Sequence, residues 1–443
     1  MTSLQTMEVS TPPPAMLNNQ LVDEVASNAR TRAIPWRAYE RSHVIDEKLC
    51  EKVLKLDGLN LDARVQVVLE NGDAYTQVFL KMLQIEGHDD IFAFACINIS
   101  DILLVSRDWA NIFVPLFFEM LGSKSWIESL ASDEKLLFVK LFALACVYQP
   151  CTAAKEFTFV LEYLGSLLSD SADTQLKLFA AQCVVAILYL KPHRRAFWTE
   201  KSCSMRLVEM LRTVSGDPQL LYYGLLNLWL LSFEPEIAKE MNKRFSCISL
   251  LAEIARADQK EKIYRIVLAI FVNLLKYARE ENASTVLLER VDSLVKTLQH
   301  RKWSDEDLVA SLTYLDETLA ECSRQLSNFD IYKTEVESGH LHWSPSHRSE
   351  EFWARNVKKL NDDDSAVLKQ LINILQNPQD VKSLAVACHD IGCYLQHYPE
   401  GRSFVIKYGA KPIIMQLMNH SNSEVRFEAL STVQRLMSQV WND

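Results

Sequence analysis

Apolar residues recur at helical spacing along almost the whole chain between about residue 20 and residue 335. The segments LDARVQVVLENGDAYTQVFLKMLQ, KLLFVKLFALACVYQ and EKIYRIVLAIFVNLLKYARE each return an apolar side chain every three or four positions among strong helix formers. No stretch alternates convincingly at period two, so the pattern predicts an all-α chain. The helices themselves repeat. Laying LLYYGLLNLWLL (220–231) over IYRIVLAIFVNL at a shift of 42 pairs Leu225 with Val267, Leu228 with Ile270 and Trp229 with Phe271. A shift of 44 toward the N-terminus pairs Phe179 with Tyr223, Val184 with Leu228 and Ile187 with Leu231. Near the C-terminus the shift of 42 returns, pairing Leu375 with Leu417, Ala387 with Ala429 and Leu395 with Met437. A period of roughly 40–47 residues made of two or three helices is the armadillo/HEAT signature, in which each unit buries its inner helix against its neighbours.

The periodicity lapses once. SNFDIYKTEVESGHLHWSPSHR (327–348) holds Gly339, Pro345 and three histidines, and is expected to be a hinge. The expected layout is a flexible arm at 1–20, an N-terminal armadillo/HEAT domain at 21–335, a linker at 336–352 and a C-terminal armadillo-like domain at 353–443. The polar run Asn361–Asp364 is expected to cap the helix SAVLKQLINIL.

Composition narrows the function. The chain has 443 residues with 11 Gly and 13 Pro, no two glycines closer than eight positions. Phosphate-loop, dinucleotide and nucleophile-elbow motifs need paired glycines and are therefore excluded. The net charge is -10; residues 353–443 carry +1 and the first 352 carry -11. This argues against nucleic acid or anionic lipid as the main partner. The ten cysteines lie mostly in apolar runs without a C-x-x-C pair, which implies core residues of a reduced, intracellular protein. The N-terminus does not read as a secretory signal, and the longest apolar stretches, Leu178–Leu190 and Leu220–Phe233, fall short of the ~20 residues that span a bilayer. No direct membrane insertion is expected.

Candidate chemistry is sparse. His340, His342 and His347 have spacings that could converge on a cation, but a polar linker explains them more simply, and no metal or cofactor is expected. Cys388 and His389 are adjacent, hence about 100° apart on a helix and poorly placed as nucleophile and base. Arg30, Arg32, Arg37 and Arg41 surround Ile34-Pro35-Trp36 and suit either an acidic partner or a solvated helix start. Trp343, Phe352 and Trp353 flank the expected linker, as partner anchors or as caps on the ends of each stack. A long helical stack without a catalytic constellation reads as a binding or regulatory scaffold rather than an enzyme.

SGHLHWSPSHRSEEFWARNVKKLN (338–361) followed by SLAVACHDIGCYLQHYPEGR (383–402) closely resembles the regulatory H subunits of vacuolar-type proton-pumping ATPases, through W-S-P-x-H-x-S-E-x-F-W, L-A-V-A-x-H-D-[IV]-G and H-Y-P-x-G-[RK]. The N-terminal half agrees more loosely, through Ile34-Pro35-Trp36 and the helical repeats. The resemblance implies a two-domain, non-catalytic subunit of the V1 sector on the cytosolic face of vacuolar, lysosomal or endosomal membranes. It implies contacts with stator subunits E and G, with the membrane-sector a subunit, and with the catalytic hexamer of A and B subunits and the central rotor in detached V1. It also implies two roles, one in ATP-driven proton transport and one in silencing ATP hydrolysis. Position and residue type nominate Trp36, Trp343, Phe352, Trp353, Arg355, Arg402 and Lys407 as partner-binding or hinge residues. The alternative is a generic armadillo/HEAT adaptor for trafficking or transport cargo. Import carriers of that class use W-x-x-x-N ladders, and no Trp here is followed by Asn at that spacing.

Overall fold

A computed structural model describes residues 17–122, 128, 130–214, 216–257, 259–325, 328–378 and 380–438, and every regular element among them is a helix. The chain forms two compact units, one of Met1–Ala278 with Trp303–Ser311 and the other of Arg279–Lys302 with Leu312–Asp443. Both are all-α stacks of the armadillo/HEAT type.

In the first unit five long helices, α1 (Asp89–Val105), α2 (Ser132–Tyr148), α3 (Thr174–Leu188), α4 (Pro218–Ser232) and α5 (Glu261–Tyr277), pack each against the next and begin 42 to 44 residues apart. The sequence period is therefore the spacing of the inner helices. α3 is buried at every position from Leu178 to Leu188, which is why its sequence is apolar on all sides rather than along one stripe. Aspartates one repeat apart start two of these helices: Asp173 accepts from Gln175 N at 2.8 Å, and Asp217 accepts from Gln219 N and Leu220 N at 2.9 Å.

A few buried polar groups fix how neighbouring inner helices register. Asn227 on α4 donates to the Ala181 carbonyl on α3 at 3.0 Å, and Asn273 on α5 donates to Ser232 Oγ on α4 at 2.9 Å. A slip along either helix would strand an amide in the core, at a cost of about 1–3 kcal/mol. The expected arm at 1–20 lies outside the described residues up to residue 16. Beyond that it is anchored: Leu17 and Asn19 are buried, Asn19 Nδ2 lies 3.3 Å from Gln182 Oε1, and Gln182 Nε2 donates to the Asn18 carbonyl at 3.1 Å.

The second unit corrects the expectation of a hinge at 336–352. Residues 328–338 form a helix, α6 (Asn328–Ser338), and Val336, Leu341, His347, Phe352 and Trp353 are all buried, the apolar ones in the same core as α7 (Asp362–Gln376), α8 (Val381–His397) and α9 (Ser423–Ser438). The segment looked like a tether because its polar residues break the apolar period, but His347 and the amides of Leu341 and His342 are hydrogen-bonded within the unit. The capping expectation for Asn361–Asp364 is corrected as well. Asp363, Asp364 and Ser365 take left-handed φ of 52° to 62°, Asn361 accepts from the Tyr394 hydroxyl at 2.7 Å, and Asp363 and Asp364 turn sideways to Lys333 at 3.2 Å and Lys369 at 2.6 Å. α8 and α9 repeat the inner-helix contact of the first unit, with the Thr432 hydroxyl donating to the Cys388 carbonyl at 2.8 Å.

Candidate functional site

The segment between α6 and α7 is fastened onto α8 by a buried ionic network. His347 Nδ1 sits 2.8 Å from Asp390 Oδ2, its Nε2 is 3.2 Å from Glu335 Oε1, and the Tyr332 hydroxyl donates to Asp390 at 2.9 Å. All four side chains are buried. Burial alone would lower the His347 pKa; the Asp390 charge and hydrogen bond, joined by Glu335, outweigh it and raise the imidazole to about 10. His347 is therefore a buried cation between two carboxylates. The His342 amide and the Ser344 hydroxyl donate to Glu335 at 2.8 and 3.3 Å, and the Leu341 amide donates to Ser383 Oγ at 2.8 Å. His347 resembles the middle member of a hydrolase triad, but it is wholly enclosed and both of its nitrogens face carboxylates, so its role is to hold the chain.

The His347 carbonyl is a second hub. It accepts from Trp353 Nε1 at 2.9 Å and lies 3.2 Å from His389 Nε2. His389 Nδ1 in turn lies 2.9 Å from Glu428 Oε2 on α9. Burial again opposes the charged form, and the contacts with Cys393 and Glu428 overcome it, raising His389 to about 10.

These elements wall an open groove of about 660 Å³, lined by Trp343, Arg348, His389, Cys393, Phe427 and Arg435 among others. Trp343 stands at its edge: Nε1 donates to Glu424 at 2.8 Å, the Arg348 guanidinium lies 4.8 Å from the ring centre, and the ring meets His389 edge-on at 5.1 Å. Phe427 is 68% exposed, unusual for a large aromatic, and Leu430 and Met437 continue an apolar stripe along the open face of α9. The residue types suit a partner surface, with aromatic anchors set among paired charges.

The sequence-nominated residues divide accordingly. Trp343 lines the groove, as does Trp353, although Trp353 is almost fully enclosed and Phe352 is buried beside it. Arg355 is exposed and pairs with Glu351 at 2.6 Å. Arg402 and Lys407 lie on another helix, Arg402–Lys407, with Lys407 near the Tyr408 ring at 5.6 Å. Trp36 belongs to the first unit, buried against Phe94 at 5.1 Å. The three linker histidines separate: His347 goes to Asp390 and Glu335, His340 lies 3.6 Å from Asp380, and His342 is exposed. Among the described residues no group of three or more His, Cys, Asp or Glu is arranged to hold a metal ion, and no helix is long and apolar enough to cross a membrane. Sequence reasoning missed Glu335, Asp390, Cys393, Glu428 and Phe427, and weighed His389 only with Cys388. One signal was available: His389 and Cys393 are four apart and share a helix face, unlike the adjacent pair Cys388 and His389.

Fold and site together define a helical-repeat protein whose C-terminal unit carries an open groove edged by aromatic side chains. The family model for the H subunit of V-ATPases matches the chain twice, its N-terminal domain over residues 20–319 and its C-terminal domain over 325–441. The chain belongs to the V-ATPase H-subunit family. It is 30% identical over 438 residues to the V-type proton ATPase H subunit of Drosophila melanogaster, covering 95% of this chain and 91% of that one. It is 28% identical over 431 residues to a probable V-type proton ATPase H subunit of Oryza sativa subsp. japonica, covering 91% and 94%. A designed armadillo repeat protein aligns with 55% of the chain at 13% identity and a TM-score of 0.46. The motif residues Trp343, Pro345, His347, Ser349, Phe352 and Trp353 all fall in the segment that α8 clasps, with Ser349 capping the short helix Glu350–Asn356 by accepting from Phe352 N at 3.1 Å.

Proposed function

We propose that the chain acts as the non-catalytic regulatory H subunit of a V-type proton ATPase, a peripheral component of the V1 sector on the cytosolic face of vacuolar, lysosomal or endosomal membranes. The observation that carries this reading is that the two family matches follow one another along nearly the whole chain. The large N-terminal domain grips stator subunits E and G. The smaller C-terminal domain contacts the membrane-sector a subunit in the assembled pump, and the A and B hexamer with the central rotor in detached V1. One domain with two sets of contacts is a population switch, its bias set by the difference in affinity between the two positions. The groove edged by Trp343 and Phe427 is the surface we assign to those contacts, with Arg355, Arg402 and Lys407 as charged candidates elsewhere on the C-terminal unit.

The test is ATP hydrolysis by isolated V1 lacking its own H subunit, with and without the full-length chain. Suppression by the chain, relieved by Trp343→Ala with Phe427→Ala, is expected. A chain that neither binds V1 nor changes its rate would overturn the reading in favour of a general adaptor.

A further inference from the structure

α8 presents His389 and Cys393 one helical turn apart, and the Cys393 sulfur lies 3.3 Å from His389 Nε2. Glu428, from the neighbouring α9, holds the other ring nitrogen at 2.9 Å, and Arg435 from the same helix points its guanidinium Nη1 at the sulfur from 3.7 Å. His389 Nε2 stands between the Cys393 sulfur and the His347 carbonyl at 3.2 Å, and the Arg435 guanidinium is a second donor beside the sulfur. Nucleophile, imidazole and orienting carboxylate in this order, with a guanidinium opposite, form the arrangement in which cysteine sulfur is reactive. Cys393 borders the groove although only 7% of it is exposed, whereas Cys388, five residues earlier on the same helix, is fully enclosed and its thiol is pushed up to about 12 by burial.

We propose that Cys393 is a covalent modification site that adds soft carbon electrophiles of the α,β-unsaturated carbonyl class entering the groove. The Cys393 S–H proton leaves to solvent, and the resulting thiolate attacks the β-carbon and forms the S–C bond as the C=C π pair shifts toward the carbonyl. The α-carbon of the resulting enolate takes a proton from the His389 imidazolium or from water. In sum the thiol hydrogen moves to the α-carbon, and nothing is oxidised or reduced. Glu428 is a positioning residue that keeps the ring turned toward the sulfur. The adduct would stand among Trp343, Phe427 and Arg435, the side chains that shape the groove.

The experiment treats the native full-length chain with limiting N-ethylmaleimide and follows each cysteine by peptide mass spectrometry. Cys393 is expected to be modified well ahead of Cys388 and the buried Cys183 and Cys203. Glu428→Gln and His389→Gln are each expected to slow Cys393 on the order of a hundredfold, the lower end of what losing one placed acid–base partner costs. The half-buried Cys151 of the first unit should keep its rate and serves as the internal reference. Labelling of Cys388 in step with Cys393 in either variant reports unfolding, and Arg435→Gln then carries the comparison. Modification of Cys393 no faster than of Cys388 in the native chain, or a rate unchanged in all three variants, would overturn the proposal.

Discussion

Replacing Asp390 by Asn isolates the buried network that holds residues 340–353 on α8. The change preserves shape but removes the charge that faces His347 at 2.8 Å, and leaves a single amide oxygen where the carboxylate also accepted from Tyr332 at 2.9 Å. Raising an imidazole from its ordinary value of 6.5 to about 10 corresponds to roughly 5 kcal/mol of preference for the cation in the folded chain. Asp390 supplies the largest favourable part of it, Glu335 the rest. Removing one partner of a buried ion pair costs about 3–5 kcal/mol, so the two routes agree. The expected loss is therefore about 3–5 kcal/mol, confined to the second unit.

The pH dependence follows from the raised folded-state pKa. Stability from the His347 cation is fully present below the unfolded value near 6.5 and is lost as pH rises through about 10. The difference between wild type and Asp390→Asn should thus be largest below about pH 6.5 and narrow as pH rises toward 10. Urea unfolding of the full-length chain, with hydrogen exchange of the 381–397 amides to separate the two units, measures both quantities. A loss under about 1 kcal/mol, or a difference that widens as pH rises, would refute a cationic His347.

Three further outcomes are expected. Gly401→Ala should cost about 1–3 kcal/mol, because a Cβ there would stand 2.4 Å from the Tyr394 ring, which its hydroxyl bond to Asn361 holds in place; a thermal melt checks it. Asn227→Ala should cost about 1–3 kcal/mol by removing the amide that joins α4 to α3, and hydrogen exchange in 174–188 should rise with it. Phe427→Ala should change stability by less than about 0.5 kcal/mol, since the ring is 68% exposed, yet weaken V1 binding roughly thirtyfold if it is an anchor, as titration calorimetry would show.

The stack of helices was legible in one dimension. Burial of apolar side chains is additive and periodic, so the same spacing that marks a helix also marks which helices are internal, and the shift of 42 to 44 returned as the spacing of α1 to α5. The motif phrases pointed to the family that the family models match. What the residues of that segment do was not legible. Gly339, Pro345 and three histidines broke the apolar period and suggested a tether, because sequence shows polarity but not whether a partner satisfies it.

The partners are far along the chain: Asp390 is 43 positions from His347, and Glu428 is 39 from His389. A hydrogen bond is directional and short-ranged, so which carboxylate meets which imidazole depends on the rotation and register of helices that only packing sets. Sequence by itself determined the helical repeat and its period. Tertiary structure alone decided that His347 is a buried cation, that residues 336–352 belong to the second unit's interior, and that Cys393 rather than Cys388 faces an imidazole, because those facts are contacts between chain segments rather than properties of any one of them.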